Sequence, residues 1–156
     1  MSDVKMARAQ KVYATMCQAL DARDWKYQRD DEALRIRCTA QGDDLPMEVQ
    51  IIIDADRQLI SLLSHLPFVI PEEKRLDVAI AVSIANNGLV DGSFDYDIGD
   101  GHMFFRMTSS FIESEIGNDL FLYMLFCSLQ TIDVYNDRFL MLGKDLMTLK
   151  QFIEKE

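Results

Sequence analysis

The stretch GSFDYDIGDGHMFFR, residues 92–106, decides how the chain is read. It sets Asp95, Asp97 and Asp100 around Gly99 and Gly101, then runs into Met103, Phe104 and Phe105. Clustered carboxylates beside glycines suit a cation-binding loop or a β-hairpin turn, and spacing separates the two. An EF-hand loop needs oxygen ligands at its first, third and fifth positions, glycine at the sixth and glutamate at the last. Counted from Asp95, the fifth position is Gly99, the sixth is Asp100 and the last is Arg106. A cationic side chain stands where the closing ligand belongs, which excludes an EF-hand.

As a hairpin the same residues sort themselves. A two-residue type I′ turn at Asp100-Gly101 pairs Gly99 with His102, Ile98 with Met103, Tyr96 with Phe105 and Phe94 with Met107. One face is then apolar. The other pairs Asp97 with Phe104 and Asp95 with Arg106, a cross-strand ion pair worth roughly a few tenths of a kcal/mol. A three-residue loop mixes the faces. A four-residue loop, Ile98 to Gly101, pairs Asp97 with His102 and keeps the parity, so it stays open beside the two-residue turn. In either case Gly99, Asp100 and Gly101 form the turn and the aspartates are turn and outer-face residues.

Outward from the hairpin, the period of the apolar residues assigns the other elements. Residues 3–22 read as an amphipathic helix, with Val12, Met16 and Leu20 four apart and Ser2 or Asp3 as cap. The period then drops to two in WKYQR and in ALRIRCTA, where Leu34, Ile36 and Cys38 alternate with Arg35, Arg37 and Thr39. Two further strands follow, Met47 to Ile53 and Gln58 to His65, around the turn DADR. Pro71-Glu72-Glu73 opens a helix that Asn87-Gly88 closes with a left-handed cap. That helix, apolar on nearly every side from Leu76 to Ala85, is expected to be sandwiched. After the hairpin, residues from about 115 to 136 form a long apolar helix, and Lys144 to Lys155 a last one. The order α-β-β-β-β-α-β-β-α-α gives an α+β fold, a single domain over residues 1–156, with an antiparallel sheet and flanking helices.

Composition narrows the function. The chain is 49% hydrophobic and 27% charged, the balance of an ordinary globular protein. Its net charge of −10 argues against nucleic acid, whose phosphates demand a basic face. From Asp91 to Asp119 seven acids face one base, Arg106, so this segment alone carries −6 and reads as a solvated acidic surface, in preference to a docking site for a basic partner. The amino terminus lacks a signal-like apolar run, and the run Leu120–Tyr135 is interrupted by Ser128, Gln130 and Asp133. A cytoplasmic protein that does not enter a membrane is expected. Cys17, Cys38 and Cys127 form no CxxC pair, as suits a reducing compartment, and with only His65 and His102 to help them zinc is disfavoured. Phosphate-loop, dinucleotide, nucleophile-elbow and zinc-protease motifs are absent, and no cofactor is implied. Cys38 and His102 are the one thiol-base pair to consider.

A helix as apolar as Leu120–Leu129 needs a second surface beyond one sheet layer, either the chain's own terminal helix or another subunit. Self-association is the reading preferred, with Phe121, Tyr123, Met124 and Phe126 as interface candidates.

The run IPEEKRLDVAIAVSIANNGLVDGSFDYDIGDGHMFFR, residues 70–106, resembles the YbjN family of bacterial sensory-transduction regulators. Members typically show a proline-capped helix, asparagine near its end, then G-x-F, acids, D-G and an F-R strand. Here these fall on Pro71, Asn86, Gly92, Phe94, Asp100, Gly101, Phe105 and Arg106, while Ser83 stands where a further asparagine is expected. The resemblance covers roughly the second half of the chain; the first half agrees in element order. It implies a fold similar to class I type III secretion chaperones, which are small, acidic, usually dimeric and hold extended segments of a client. It carries over no catalytic residue.

Two classes follow. The first is a non-enzymatic regulatory or chaperone-like homodimer that binds a protein or peptide client. The second is a small metal- or ligand-binding protein, or an enzyme, using the acidic loop 95–102 with His102 or Cys38.

Overall fold

The structure is a computed structural model and describes residues 2–156. Helix α1 (Asp3–Asp21) is capped by Ser2, whose hydroxyl accepts from the Lys5 N–H. It leads into four strands, β1 (Gln28–Asp30), β2 (Arg35–Gln41), β3 (Pro46–Asp54) and β4 (Leu59–His65). A 3-10 turn at Glu72–Lys74 opens α2 (Arg75–Gly88). Then come β5 (Ser93–Tyr96), β6 (Met103–Ser110), α3 (Asn118–Gly143) and α4 (Leu149–Glu154). The fold is α+β: one six-stranded, wholly antiparallel sheet, in the order β1-β2-β3-β4-β6-β5, with four helices. The chain leaves β4, forms α2, lays β5 at the far edge and returns between them as β6.

Period-two alternation splits the sheet into unlike faces. Ile36, Val49, Ile51, Ile60, Leu62, Phe94, Phe105 and Met107 are buried and point toward the helices. Arg35, Arg37, Gln50, Ile52, Leu63, Phe104 and Arg106 point the other way, where no helix packs among the described residues.

The buried face gathers an aromatic cluster. Phe94 meets Phe105, Tyr135 and Phe139 edge-on, at ring separations of 5.2, 5.5 and 5.1 Å. Phe152 of α4 stacks on Phe139 at 5.5 Å. Each such pair contributes about 0.5–1.5 kcal/mol beyond its burial. The cluster ties the hairpin β5–β6, the long helix and the terminal helix into one core.

Three helix expectations change. Helix α3 does not stop near residue 136 but continues to Gly143, because Tyr135, Phe139 and Leu142 extend its buried stripe. Helix α4 starts at Leu149 rather than Lys144: Asp145 takes a positive φ of 59°, and Thr148 with Gln151 makes a capping box. Leu146 and Ile153 are thereby left exposed. Helix α2 is not sandwiched; Val78, Ala81, Val82 and Ala85 are buried, but Leu76 and Ile80 face outward. Its end is not left-handed either, since Leu89, in extended conformation, donates its N–H to the Asn86 carbonyl.

Truncating Phe139, which has no exposed surface, leaves a cavity shared by α3, α4 and β5. Phe139→Ala should lower the unfolding free energy by about 3–5 kcal/mol in urea titration; a loss under about 1 kcal/mol would show that the cluster does not organise the core.

Candidate functional site

The hairpin turn comes first, because it held the carboxylates. The register pairs Phe94 with Phe105, Asp95 with Phe104 and Tyr96 with Met103. Asp97 donates its N–H to the His102 carbonyl and accepts from the Gly101 N–H, at 3.0 and 2.8 Å. The loop is therefore the four-residue one, Ile98 to Gly101, and the two-residue I′ register is set aside. The parity is the same, so the apolar and outer faces are unaffected. Asp95 and Arg106 still form an ion pair, now diagonally, since Ser93 lies opposite Arg106.

Why the loop opens to four residues is visible in its neighbours. Gly101 has φ +81°, and a Cβ there would stand 2.2 Å from the Ile70 carbonyl oxygen. Ile70 donates its own N–H to the Gly101 carbonyl at 2.9 Å, so the loop is docked on the segment before α2. Arg75 completes the docking. Its Nε, Nη1 and Nη2 donate to the carbonyls of Ile70, Gly99 and Asp100 at 3.1, 2.7 and 3.1 Å.

The carboxylates serve this turn. Asp97 Oδ1 accepts from the Gly99 N–H at 2.8 Å, and Asp100 Oδ1 accepts from the His102 N–H at 2.9 Å. Elsewhere in the acidic stretch, Asp91 accepts from the Tyr123 hydroxyl and Glu115 pairs with Lys11. No group of three or more histidine, cysteine or acidic side chains is placed to hold a metal among the described residues.

The thiol-base pair does not form. Cys38 is buried on β2, while His102 stands at the exposed tip of the β5–β6 turn. Strands β2 and β6 are separated by β3 and β4, hence by about 14 Å in the sheet plane. Burial pushes the Cys38 thiol up to about 11, the reverse of nucleophile activation.

The interface candidates divide by helical phase. Phe121 and Met124 are buried in the core, so they offer no surface; Tyr123 and Phe126, some 160° away around the helix at about 100° per residue, are exposed. The outward stripe of α3 continues through Cys127, Val134 and Met141. Trp25 lies against Phe126 at 5.8 Å, and the Arg23 guanidinium covers the same ring.

Sequence reading missed the uncovered sheet face. Across the strands one row reads Gln28, Arg37, Gln50, Leu63, Arg106, Ser93; beside it Thr39 pairs with Glu48, and His65, Phe104 and Asp95 lie side by side. A concavity of about 670 Å³ opens over its β1–β4 side, lined by Lys26, Arg37, Thr39, Gln50, Leu63 and His65. Phe104 is bracketed by His65 at 5.2 Å and by Arg106 at 5.8 Å. The signal was present in the alternation, because the polar phase of β2 to β4 also contains Ile52, Leu59 and Leu63.

One edge of this sheet is closed by a side chain. The Asn86 amide accepts from the Phe94 N–H at 2.8 Å and donates to the Phe94 carbonyl at 2.9 Å. It thereby occupies the outward backbone groups of β5 as a neighbouring strand would. Asn86, Gly101, Phe94 and Phe105 thus each have a structural task.

The family model described as "YbjN: Putative bacterial sensory transduction regulator" matches residues 13–141. The chain belongs to the YbjN family. The match extends well into the first half, beyond the motif that the sequence alone displayed. A crystal structure of YbjN from E. coli, titled a "putative transcription regulator", superposes with a TM-score of 0.56 at 13% identity, covering 78% of this chain and 86% of that one. At that identity the likeness carries the fold. No curated protein matches the chain. No helix among the described residues is long and apolar enough to cross a membrane.

Two outcomes test the structural reading of the acidic loop. Asp100 is held below the usual carboxylate range, chiefly by the His102 N–H, so its stabilisation is full above about pH 4 and fades as pH falls further. Asp100→Asn should therefore flatten the acid limb of the urea midpoint against pH; identical limbs would remove this carboxylate from the turn's stability. Alkylation by iodoacetamide at neutral pH should reach Cys127 well before Cys17 or Cys38, and fast labelling of Cys38 would restore it as a nucleophile.

Proposed function

We propose that this member of the YbjN family is a non-enzymatic regulatory module that acts as a homodimer and captures a segment of another protein. One observation carries the reading: all four helices lie on one face of the sheet, and the other face keeps half-exposed Ile52, Leu59, Leu63 and Phe104 in the open. A six-stranded face with large apolar side chains is a surface suited to a partner rather than to water. The family's description as a regulator agrees with an output made by binding.

The homodimer reading draws on a different surface. Tyr123, Phe126, Cys127, Val134 and Met141 make the outer stripe of α3, about 27 Å long at 1.5 Å per residue. A stable interface buries about 800 Å² per partner, more than one helical stripe supplies. Trp25 beside Phe126, and Val90 next to the Asp91 that holds Tyr123, extend the patch on both flanks.

The use of the acidic loop as a metal, ligand or catalytic site finds less support, because Asp97 and Asp100 each have a backbone N–H to hold. Sedimentation at micromolar concentration should give twice the protomer mass. The double variant Tyr123→Arg, Val134→Arg should give a folded monomer with unchanged far-ultraviolet dichroism. A wild-type monomer, or an undisturbed dimer in the double variant, would overturn the assignment of this stripe.

A further inference from the structure

The uncovered face is not charged like the rest of the molecule. The chain carries 26 acids against 16 Lys and Arg. Reading the register rows, the face presents Arg35, Arg37 and Arg106, with Lys26 at its rim. Against them stand Asp30, Glu48, Asp54 and Asp95. Three of those acids are already engaged. Asp30 accepts from the Ala33 N–H, Asp54 from the N–H groups of Asp56 and Arg57, and Asp95 pairs with Arg106.

Lys26, Arg35 and Arg37 form no ion pair among the described residues; Asp30 lies opposite Arg35 in the register, while Lys26 and Arg37 have Glu48 as the one acid beside them in the concavity.

The apolar part of the face lies beside these cations. Arg37 and Leu63 share one row with Gln50 between them, a separation of about 10 Å at the spacing of strands. Phe104 and Leu63 are diagonal neighbours on β6 and β4. The concavity lined by Lys26, Arg37, Glu48, Gln50, Leu63 and His65 therefore places two cations without an ion-pair partner beside one carboxylate and the aliphatic side chain of Leu63.

From this complementarity we infer that the uncovered face receives a protein segment rich in carboxylates and large aliphatic side chains, with its acids on Lys26 and Arg37 and its apolar side chains on Leu63, Ile52 and Phe104. The inference rests on the reading of the chain as a protein-binding module and names the chemistry of the client. The overall negative charge does not forbid it. At physiological salt, repulsion from acids more than about 8 Å away is screened, so Lys26 and Arg37 with Glu48 set the field in the concavity.

The test uses a short fluorescein-labelled peptide of glutamate and leucine in equal number, and its counterpart with lysine for glutamate, titrated by anisotropy at physiological salt. The wild-type protein should bind the glutamate peptide and leave the lysine peptide largely unbound. Arg37→Glu, at an exposed position, should weaken the glutamate peptide about tenfold or more, the scale of one charge-assisted contact. Leu63→Gln should weaken it too while keeping the preference for glutamate. Both variants should keep wild-type melting and wild-type sedimentation.

Four outcomes overturn the inference. Equal or tighter binding of the lysine peptide contradicts the client's charge while leaving the protein-binding reading standing. Unchanged affinity in Arg37→Glu removes the face from recognition. Conversion to monomers by Arg37→Glu would make the face the contact between two copies. Failure of both peptides to bind up to millimolar concentration also contradicts it.

Discussion

The Asn86 side-chain amide, holding both outward backbone groups of Phe94, is the contact on which the arrangement depends. It joins the end of α2 to the edge strand β5, and so fixes where Phe94 enters the core. Phe94 in turn touches Phe105, Tyr135 and Phe139, which bring the hairpin and α3 together. The same amide caps the edge strand and discourages a further strand from adding there. With Arg75 fastening the turn to the start of α2, helix and hairpin form one unit on one side of the sheet.

This one-sided assembly has a consequence for the other face. A helix pinned to β5 at both of its ends cannot cross to the far side, and α3 is held by the aromatic cluster. The far face therefore keeps its apolar and cationic side chains free. The acidic turn, by contrast, is internally satisfied: its carboxylates accept from its own N–H groups, and its carbonyls accept from Arg75. Asp97 and Asp100 hold the backbone of their own turn, whereas Lys26 and Arg37 on the uncovered face form no ion pair among the described residues.

Much of the fold was legible because local periodicity carries it. Val12, Met16 and Leu20 marked α1, and the alternation of Ile36 and Cys38 with Arg35 and Arg37 marked β2. The parity of the hairpin was readable from Phe94, Tyr96, Met103 and Phe105, but its loop length was not. That length depends on Gly101 meeting the Ile70 carbonyl, a contact across some thirty residues that no local rule expresses. The end of α3 lies beyond residue 136 because Phe139 and Leu142 are held by packing, which the polar pair Asn136 and Asp137 does not show locally. Hydrophobicity alone does not tell Phe121 and Met124, turned inward, from Tyr123 and Phe126, turned outward. The uncovered face was hidden for a similar reason: Leu63 and Phe104 read as strand residues until the helices were seen to share one side.

The account divides labour between two surfaces, the outer stripe of α3 for a second copy and the bare sheet face for a client. Hydroxyl-radical footprinting of the protein alone, across a dilution series that dissociates it, tests that division most directly. Tyr123 and Met141 should become protected as the protein assembles, while Phe104, Leu63 and His65 react equally in both states. Protection of Phe104 and Leu63 on assembly, with Tyr123 unchanged, would contradict the account and place the copy-to-copy contact on the sheet.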